Sequence, residues 1–424
     1  MRVLIVNTSE NVGGAAVAAN RLMEALNNNG VKAKMLVRDK QTDNITVAEL
    51  PQSWKLRWHF LWERFVIYCK LHFKRNNLFL IDIANAGTDI TKMREFKEAD
   101  VIHLNWINQG MLSLGGIRKI LESHKPVVWT MHDLWPASSI CHYTRNCHGY
   151  EKHCGLCPLL PNGGTKNDLS ATVWRQKKQM LDKHSILFVA CSKWLAEKAQ
   201  RSGLLEGQKI LSIPNTIDNR IFGTEDKNKA RLYANLPSGK RIILFVSQRV
   251  TDKRKGMDYF ISAINKMVEL HPETKENTGI AILGGQADEL AERLPLPTYP
   301  LGYINDEKKI ARIYNSADVF VLPSLEDNLP NTIMEAMACG VPCVGFNTGG
   351  IPEMIDHQKN GYVAEYKNPD DLARGIYWVI AETDPAALGN EAIKKVNSNY
   401  SQHIVAMKYI EAYNQAMALK RYKL

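Results

Sequence analysis

Short apolar runs alternate with segments of helical period along most of this 424-residue chain. Residues 2–6 form one such run, residues 17–26 repeat apolar side chains at helical spacing, and residues 34–37 form the next run. The same order returns with the run at 242–246 and the helical segment at 257–268. A strand, a helix and a second strand in succession are typical of parallel sheets covered by helices. The pattern therefore predicts an α/β fold with two Rossmann-like sheets.

The length and composition fit two domains. With 45% hydrophobic and 23% charged residues, the chain is long enough for two α/β domains with separate cores. A helical segment ends near residue 201, and we expect the boundary between it and Pro214. The predicted domains are residues 1–208 and 209–402, followed by an amphipathic helix at 403–424.

Two carboxylates, Asp327 and Glu335, stand with seven residues between them after a strand-like run. Asn331 or Thr332 can cap a helix that carries Glu335, and Gly340 can end it. In open α/β sheets such loops lie at the carboxyl edge of the strands, where nucleotides and sugars bind. Carboxylates accept hydrogen bonds only, which suits the hydroxyls of a sugar and a ribose. The alternative is structural, with a solvated turn residue and a carboxylate at a helix dipole.

A basic loop follows the apolar run at 242–246 and contains Arg249 and Lys255. A strand, a basic loop and a helix in this order form a phosphate-binding layout. The planar guanidinium of Arg249 can bind two phosphate oxygens, while Lys255 supplies a compact charge. A solvated basic turn is the alternative, and it is our interpretation of Lys253 and Arg254.

These motifs together resemble the donor site of retaining glycosyltransferases of family 4, in which two glutamates flank seven residues. The resemblance continues through residues 336–342 and 348–353, and it is closest from 214 to 365. It implies the GT-B fold, with two Rossmann-like domains facing across a cleft and the C-terminal helix crossing back to the N-terminal domain. This chain has Asp327 where the family has glutamate, and Glu326 is the alternative acid.

The resemblance assigns the N-terminal domain to the acceptor and the C-terminal domain to a nucleotide-diphosphate sugar donor. Arg249 and Lys255 then hold the diphosphate and stabilise the leaving group. In other glycosyltransferases a divalent metal does this, so we expect catalysis without a metal cofactor. Asp327 and Glu335 bind the donor's hydroxyls. Further predicted donor-binding residues are Gly13, Gly14, Gly302, Tyr303, Ile304, Asn328 and Leu329.

Two histidines, His103 and His132, stand near the ends of strand-like runs. A histidine at such a place is more often structural. His132 matches the family position where a histidine faces the transferred sugar near its reacting carbon. The predicted catalytic set is His132, Arg249, Lys255 and Asp327. The predicted acceptor-side residues are His103, Asn105 and Asp133.

No side chain at these positions is an obvious nucleophile. We therefore predict front-face attack with retention, in which a donor phosphate oxygen takes the acceptor's proton while fixed cations stabilise the developing charge. The predicted enzyme is a hexosyltransferase-type glycosyltransferase of bacterial surface polysaccharide synthesis, such as exopolysaccharide or lipopolysaccharide, with a lipid-linked glycan as the expected acceptor. The resemblance leaves the donor base, the sugar and the linkage open.

Four of the chain's eight cysteines fall within residues 141–157, with histidines between them. Such a cysteine-rich insertion resembles a decoration of some bacterial polysaccharide glycosyltransferases of the colanic-acid type. In a reducing compartment the cluster favours a structural zinc site over disulfides, and packed thiols are a further alternative. The predicted ligands are Cys141, Cys147, Cys154 and Cys157.

The chain is basic, with a net charge of +10, and residues 55–75 hold six Lys or Arg against one acid, with aromatic residues among them. Such a segment can lie on an anionic bilayer, here the inner leaflet, or it can be an ordinary domain helix with a buried aromatic stripe. The first apolar run turns polar at Asn7, which is too short for a signal peptide. We expect a cytoplasmic protein, with peripheral contact to the membrane.

Two other functions fit parts of this pattern. Basic charge with a zinc knuckle and scattered aromatics can describe a nucleic-acid-binding protein, but that reading leaves the donor motifs unexplained, so we expect no nucleic-acid partner. A sugar-nucleotide epimerase or a phosphorylase of GT-B fold keeps the architecture and changes the reaction.

Overall fold

The computed structural model describes residues 1–249 and 252–421. The chain forms two compact units. Residues 1–216 and the chain from Val405 onward form the first unit, and Ile217–Ile404 form the second.

The first unit contains a parallel sheet of seven strands in the order β3-β2-β1-β4-β5-β6-β7. The strands are β1 (Arg2–Val6), β2 (Lys32–Val37), β3 (Val47–Glu49), β4 (Val101–Leu104), β5 (Val127–Met131), β6 (Leu187–Ala190) and β7 (Lys209–Ser212). The helices of this unit are α1 (Gly14–Asn28), α2 (Trp54–Lys70), α3 (Arg94–Glu98), α4 (Leu114–Glu122), α5 (Leu169–Leu181) and α6 (Lys193–Gln200). Helices cover both faces, which explains why the central strands are continuous apolar runs.

The second unit contains a parallel sheet of six strands in the order β10-β9-β8-β11-β12-β13. The strands are β8 (Arg241–Arg249), β9 (Thr278–Gly285), β10 (Thr298–Pro300), β11 (Val319–Leu322), β12 (Cys343–Phe346) and β13 (Gly361–Ala364). The helices up to the end of the chain are α7 (Lys227–Tyr233), α8 (Met257–Leu270), α9 (Thr274–Asn277), α10 (Asp288–Ala291), α11 (Glu307–Asn315), α12 (Asn331–Ala338), α13 (Ile351–Met354), α14 (Pro369–Tyr377), α15 (Pro385–Asn399) and α16 (Gln402–Arg421).

Each sheet face has an apolar core of its own. One face of the first sheet packs Val3 and Ile5 against α1, and Leu4 and Val6 point into the other core. This alternation follows from the two-residue period of a strand. From Val405 onward, α16 packs on the same face as α1 and completes that core.

The predicted architecture of two parallel, Rossmann-like sheets is confirmed. The structure divides the chain after Thr216, later than the predicted boundary at 208, because Lys209–Ser212 pairs with β6 as the last strand of the first sheet. The helix that carries Glu335 is also as predicted, but its start differs. Pro330 precedes it without a side-chain cap, and Asn331 is its first residue.

Candidate functional site

The carboxyl ends of β8 and β11, which are neighbours in the second sheet, bring a cation and a carboxylate together. Lys255 lies in the turn that leads from β8 into α8, and Asp327 lies in the loop after β11. The Lys255 ammonium is 2.6 Å from Oδ2 of Asp327, and the Ser324 hydroxyl donates to the same oxygen at 3.3 Å. Both charged side chains are partly exposed, so the pair can meet a ligand from solvent. An ammonium can bind a phosphate oxygen, and a carboxylate can accept from a hydroxyl.

Two glycines allow the loops around this pair to approach closely. Gly256 has a positive φ of 73°, and a Cβ there would lie 1.9 Å from the carbonyl oxygen of Pro323. Gly349 has φ 60°, and a Cβ there would lie 1.7 Å from the carbonyl oxygen of Asp327. A backbone hydrogen bond also joins the two loops: the Leu325 N–H donates to the carbonyl oxygen of Arg254 at 2.7 Å. The positions of Lys255 and Asp327 are therefore fixed by main-chain packing.

Glu335 lies on α12 and is buried. The hydroxyl of Tyr314, a fully buried residue of α11, donates to Oε2 of Glu335 at 3.1 Å. Burial, with the nearby Glu335 charge, raises the pKa of Tyr314 well above its usual value, so the phenol remains a donor. Sequence reasoning missed Tyr314, since a tyrosine in the helix before β11 has no motif of its own.

The remaining predicted donor residues lie on loops of the second unit. Asn328 and Leu329 follow Asp327 and are buried, while Tyr303 is exposed after β10. Gly302 has a positive φ of 69°, and its carbonyl oxygen accepts from Gly284 N–H at 2.8 Å. Ile304 follows in the same loop and is half-buried.

Arg249 is the last residue of β8 and pairs with Gly285 of β9 through its backbone. Its side chain lies outside the described part of the structure. The assignment of Arg249 to the diphosphate stays a prediction.

In the first unit, Gly13 precedes α1 with a φ of 92°, and Gly14 is the first residue of the helix. A Cβ at Gly13 would meet no atom within 4 Å, so the backbone angle, and not crowding, favours glycine there. The assignment of Gly13 and Gly14 to donor binding stays a prediction.

His132 follows β5 and contacts the ends of the two neighbouring strands. Its Nε2 is 3.0 Å from Oδ1 of Asn105, after β4, and its Nδ1 is 3.5 Å from Sγ of Cys191, after β6. Burial lowers the pKa of His132 to about 4, although the Asp133 charge opposes this. The imidazole is therefore neutral at neutral pH. Cys191 carries no signal in the sequence that would have placed it here.

His103, a predicted acceptor-side residue, is fully buried on β4. Its Nδ1 is 2.8 Å from the Tyr413 hydroxyl on α16, and its Nε2 is 2.7 Å from the Thr130 hydroxyl on β5. Burial, followed by the charge of His132, lowers the pKa of His103 to about 3. The Nδ1 contact joins α16 to the sheet and the Nε2 contact joins β4 to β5, so both ring nitrogens are engaged inside the unit.

Asp133, the predicted acceptor-side acid, forms hydrogen bonds with residues of its own unit. His142 bridges two carboxylates, with Nδ1 2.7 Å from Asp133 and Nε2 2.6 Å from Asp82. The Trp106 indole also donates to Asp133, at 3.0 Å. Burial alone would lower the pKa of His142, but the two carboxylates, Asp133 first, raise it to about 10. The resulting imidazolium fixes the loop that follows His132.

The four cysteines between 141 and 157 are all free thiols. Cys157 belongs to a hydrophobic core, and Cys141 and Cys154 pack against it. Burial raises the pKa of Cys154 and of Cys157 to about 12. Within residues 1–249 and 252–421, no three His, Cys, Asp or Glu side chains are arranged to hold a metal ion. The structure therefore does not support the predicted zinc site, and Cys141, Cys154 and Cys157 pack as apolar groups.

Comparisons with known families agree with this architecture. The family described as Glycosyltransferase Family 4 matches residues 12–220, and the family described as Glycosyl transferases group 1 matches residues 240–382. An uncharacterised glycosyltransferase of Methanocaldococcus jannaschii is 31% identical over 284 residues, which are 65% of this chain and 70% of that protein.

Two further relatives have more specific names. The putative colanic acid biosynthesis glycosyl transferase WcaC of Escherichia coli is 26% identical over 276 residues, 62% of this chain and 61% of that protein. The N-acetyl-alpha-D-glucosaminyl L-malate synthase of Bacillus anthracis is 24% identical over 210 residues, 48% of this chain and 53% of that protein. The chain thus spans less than two thirds of these two relatives.

Solved structures share the fold. Sucrose-phosphate synthase of Thermosynechococcus elongatus superposes with a TM-score of 0.66 at 18% identity, over 99% of this chain and 100% of that chain. The Anabaena protein HepE in complex with UDP-glucose gives a TM-score of 0.63 at 16% identity, over 98% and 100% of the two chains. The fold is the GT-B fold, as the sequence predicts. The matches to its sequence show that the chain belongs to the family 4 and group 1 glycosyltransferases.

One further observation bears on location. Among the described residues, every helix is too short or too polar to cross a bilayer.

Proposed function

We propose that this glycosyltransferase moves a sugar, with retention of configuration, from a nucleotide-diphosphate sugar to a glycan acceptor. The observation that carries the proposal is the contact between Lys255 and Asp327, at the carboxyl edge of the second sheet where α/β folds bind nucleotides. The Anabaena relative in fold was solved with UDP-glucose, which supports a nucleotide sugar as the donor class.

The donor chemistry is assigned to the second unit. Lys255 and Arg249 neutralise the diphosphate and stabilise the charge that grows on it as the glycosidic bond breaks. Asp327 keeps the Lys255 ammonium at the site and binds a sugar hydroxyl, and Glu335 accepts from the ribose hydroxyls. These two cations supply the positive charge, so the proposed reaction needs no metal cofactor.

The acceptor chemistry is assigned to the first unit. A neutral His132 can donate or accept a hydrogen bond at a sugar hydroxyl, and Asn105 orients its ring. The backbone at Gly13 has open space beside it, which supports a close approach of the substrate there. His103 and Asp133 take no direct part, because their polar atoms are engaged inside the unit.

The pathway proposed is synthesis of a bacterial surface polysaccharide on a lipid-linked acceptor at the cytoplasmic side of the membrane. The similarity to the colanic acid transferase supports the polysaccharide. Exposed basic and aromatic residues between 55 and 75 support a peripheral location at the bilayer.

Release of free nucleoside diphosphate from nucleotide sugars tests the reaction. Transfer predicts release that depends on a glycan acceptor, with an α-linked product from an α-linked donor by proton NMR. An epimerase would instead change the sugar without releasing the nucleotide, and inversion of configuration in the product would contradict the proposed route.

Arg249→Ala is expected to lower turnover on the order of 100-fold, because it removes one preorganised group that stabilises charge in the transition state.

A further inference from the structure

Helix α2 turns its apolar side to solvent. Its exposed large side chains are spaced at intervals of three or four residues, which places them on one face of the helix. They are Trp54 (71% exposed), Trp58 (52%), Leu61 (55%), Trp62 (41%) and Phe65 (55%). We call this set the aromatic face. A helix on a soluble domain normally turns such a stripe towards the core.

The opposite side of α2 is buried and carries charge. The Glu63 carboxylate accepts hydrogen bonds from the N–H groups of Ile83 and Ala84, at 2.9 and 2.7 Å, and Arg64 pairs with Asp82. Glu63 and Arg64 are both buried. Burial of charged groups is costly unless they are paired, and here pairing holds the helix in one orientation. These contacts keep the aromatic face pointing outward.

The aromatic face is continuous. The rings of Trp58 and Trp62 stack with centroids 6.0 Å apart, and those of Trp62 and Phe65 are 5.9 Å apart. Phe73, just beyond the helix, is also exposed. Contiguous exposed apolar surface of this kind marks a site of interaction with a protein or a membrane.

The charge that surrounds the aromatic face is positive. By helical spacing, Lys55 and Arg57 lie on the two sides of the stripe, and both are exposed. Three further exposed cations follow the aromatic face along the chain, namely Lys70, Lys74 and Arg75. The only acid between residues 54 and 75 is Glu63, which is buried. The solvent-facing side of this segment is therefore cationic and aromatic.

We propose that the aromatic face docks in the headgroup region of an anionic lipid bilayer, with α2 parallel to the membrane plane. Trp and Phe favour that interface, and Lys and Arg at its border attract anionic headgroups. A second copy of the chain is a poorer partner, since a two-fold contact would place the Lys55 and Arg57 cations of both copies in one interface. The proposal gives the peripheral location a defined surface, and it does not depend on the sugar-transfer chemistry.

Vesicle flotation of the full chain tests the proposal without any activity measurement. The probes are vesicles of phosphatidylcholine alone and of phosphatidylcholine with phosphatidylglycerol. We expect binding to the anionic vesicles, with Trp58→Gln/Trp62→Gln and Lys55→Glu/Arg57→Glu each weakening it on the order of 10-fold or more. Added salt should weaken binding of the wild-type protein, because the charges are exposed.

Matched controls use exposed residues of the second unit. Leu232→Gln removes an apolar side chain that is at least as exposed as Trp58 and Trp62, and Lys229→Glu/Lys275→Glu makes the same change in net charge as the α2 charge variant. Both should bind as the wild type does. Vesicles with brominated acyl chains should quench tryptophan fluorescence in the wild type more than in Trp58→Gln/Trp62→Gln.

The results distinguish an anionic bilayer from a second copy of the chain as the partner of the aromatic face. Equal weakening by the α2 and control variants would contradict a defined docking face. A dimer that Trp58→Gln/Trp62→Gln dissociates, in a protein that binds neither kind of vesicle, would assign the face to self-association and overturn the proposal. Since flotation reports lipid binding only, failure here would leave the proposed sugar transfer standing.

Discussion

At the scale of single residues, buried hydrogen bonds orient the charged groups of both units. Tyr314 donates to Glu335 in the second unit, and His142 joins Asp133 to Asp82 in the first. Neither Tyr314 nor His142 belongs to a recognisable motif, because a partner distant in the chain defines the role of each. The sequence predicted the carboxylates Glu335 and Asp133 but not the groups that hold them.

Tyr314 is a positioning residue for Glu335. Tyr314→Phe keeps the buried ring and removes one hydrogen bond to a carboxylate, so binding of a nucleoside diphosphate should weaken about 10-fold. The weakening should be much smaller for a 2′,3′-dideoxynucleoside diphosphate, which lacks the hydroxyls that Glu335 is proposed to bind. Calorimetric titration measures both.

Tyr362→Phe is the control for Tyr314→Phe. It removes a hydroxyl that donates to Asp371 at 2.9 Å in the same unit. Its titration should match the wild type. If Tyr314→Phe weakened binding of the ribose and dideoxyribose ligands equally, Tyr314 would act on protein stability alone.

The His142 bridge predicts a pH-dependent stability. The folded pKa of about 10 lies above the ordinary value of 6.5, so the bridge contributes fully below pH 6.5 and its contribution is lost as pH rises to about 10. His142→Gln should lower the free energy of unfolding by about 3 kcal/mol near pH 6, with a smaller difference from the wild type at pH 10. Urea titrations at several pH values measure this difference, and a constant difference would contradict the bridge.

At the scale of elements, periodicity predicted β1, α1 and β2 in the first unit and β8 and α8 in the second, because their apolar positions face one or two cores. The same reasoning was less successful for α2. Its aromatic residues fitted either a buried stripe or a membrane-facing one, and only the structure shows that Glu63 and Arg64 take the buried side. Side-chain pairing across the chain, which periodicity does not report, decided the orientation.

The close approach of two loops at Gly256 makes that position sensitive. Gly256→Ala places a methyl group against the carbonyl of Pro323 at a positive φ, so the loop that carries Asp327 must move. We expect a loss of about 2 kcal/mol or more in unfolding free energy, together with weaker donor binding. Gly239→Ala is the control, because its added Cβ has no atom within 4 Å. It should leave both the unfolding free energy and donor binding unchanged, as measured by thermal unfolding and calorimetric titration. Unchanged unfolding of Gly256→Ala would contradict the packing described.

At the scale of the whole molecule, two sheets of one architecture carry different side chains at their carboxyl edges, Lys255 and Asp327 in one and His132 and Asn105 in the other. The fold class and the family were accessible from sequence, since they depend on local pattern and on motifs of fixed spacing. The cysteine loop was not, because the same spacing of thiols serves metal binding or apolar packing, and the sequence does not report how the thiols are arranged in space. The division at Thr216 likewise depends on the pairing of β7.

The central claim is that the loops after β8 and β11 form the nucleotide-sugar site. Calorimetric titration of UDP, GDP and ADP into the wild type, Lys255→Ala and Lys253→Ala tests it most directly. Lys253 is exposed two residues away in the same turn, which makes it a matched control. We predict that the wild type binds at least one of the three, that Lys255→Ala weakens this binding about 10-fold or more, and that Lys253→Ala does not. Equal affinities for Lys255→Ala and the wild type, or no binding by the wild type, would contradict the account.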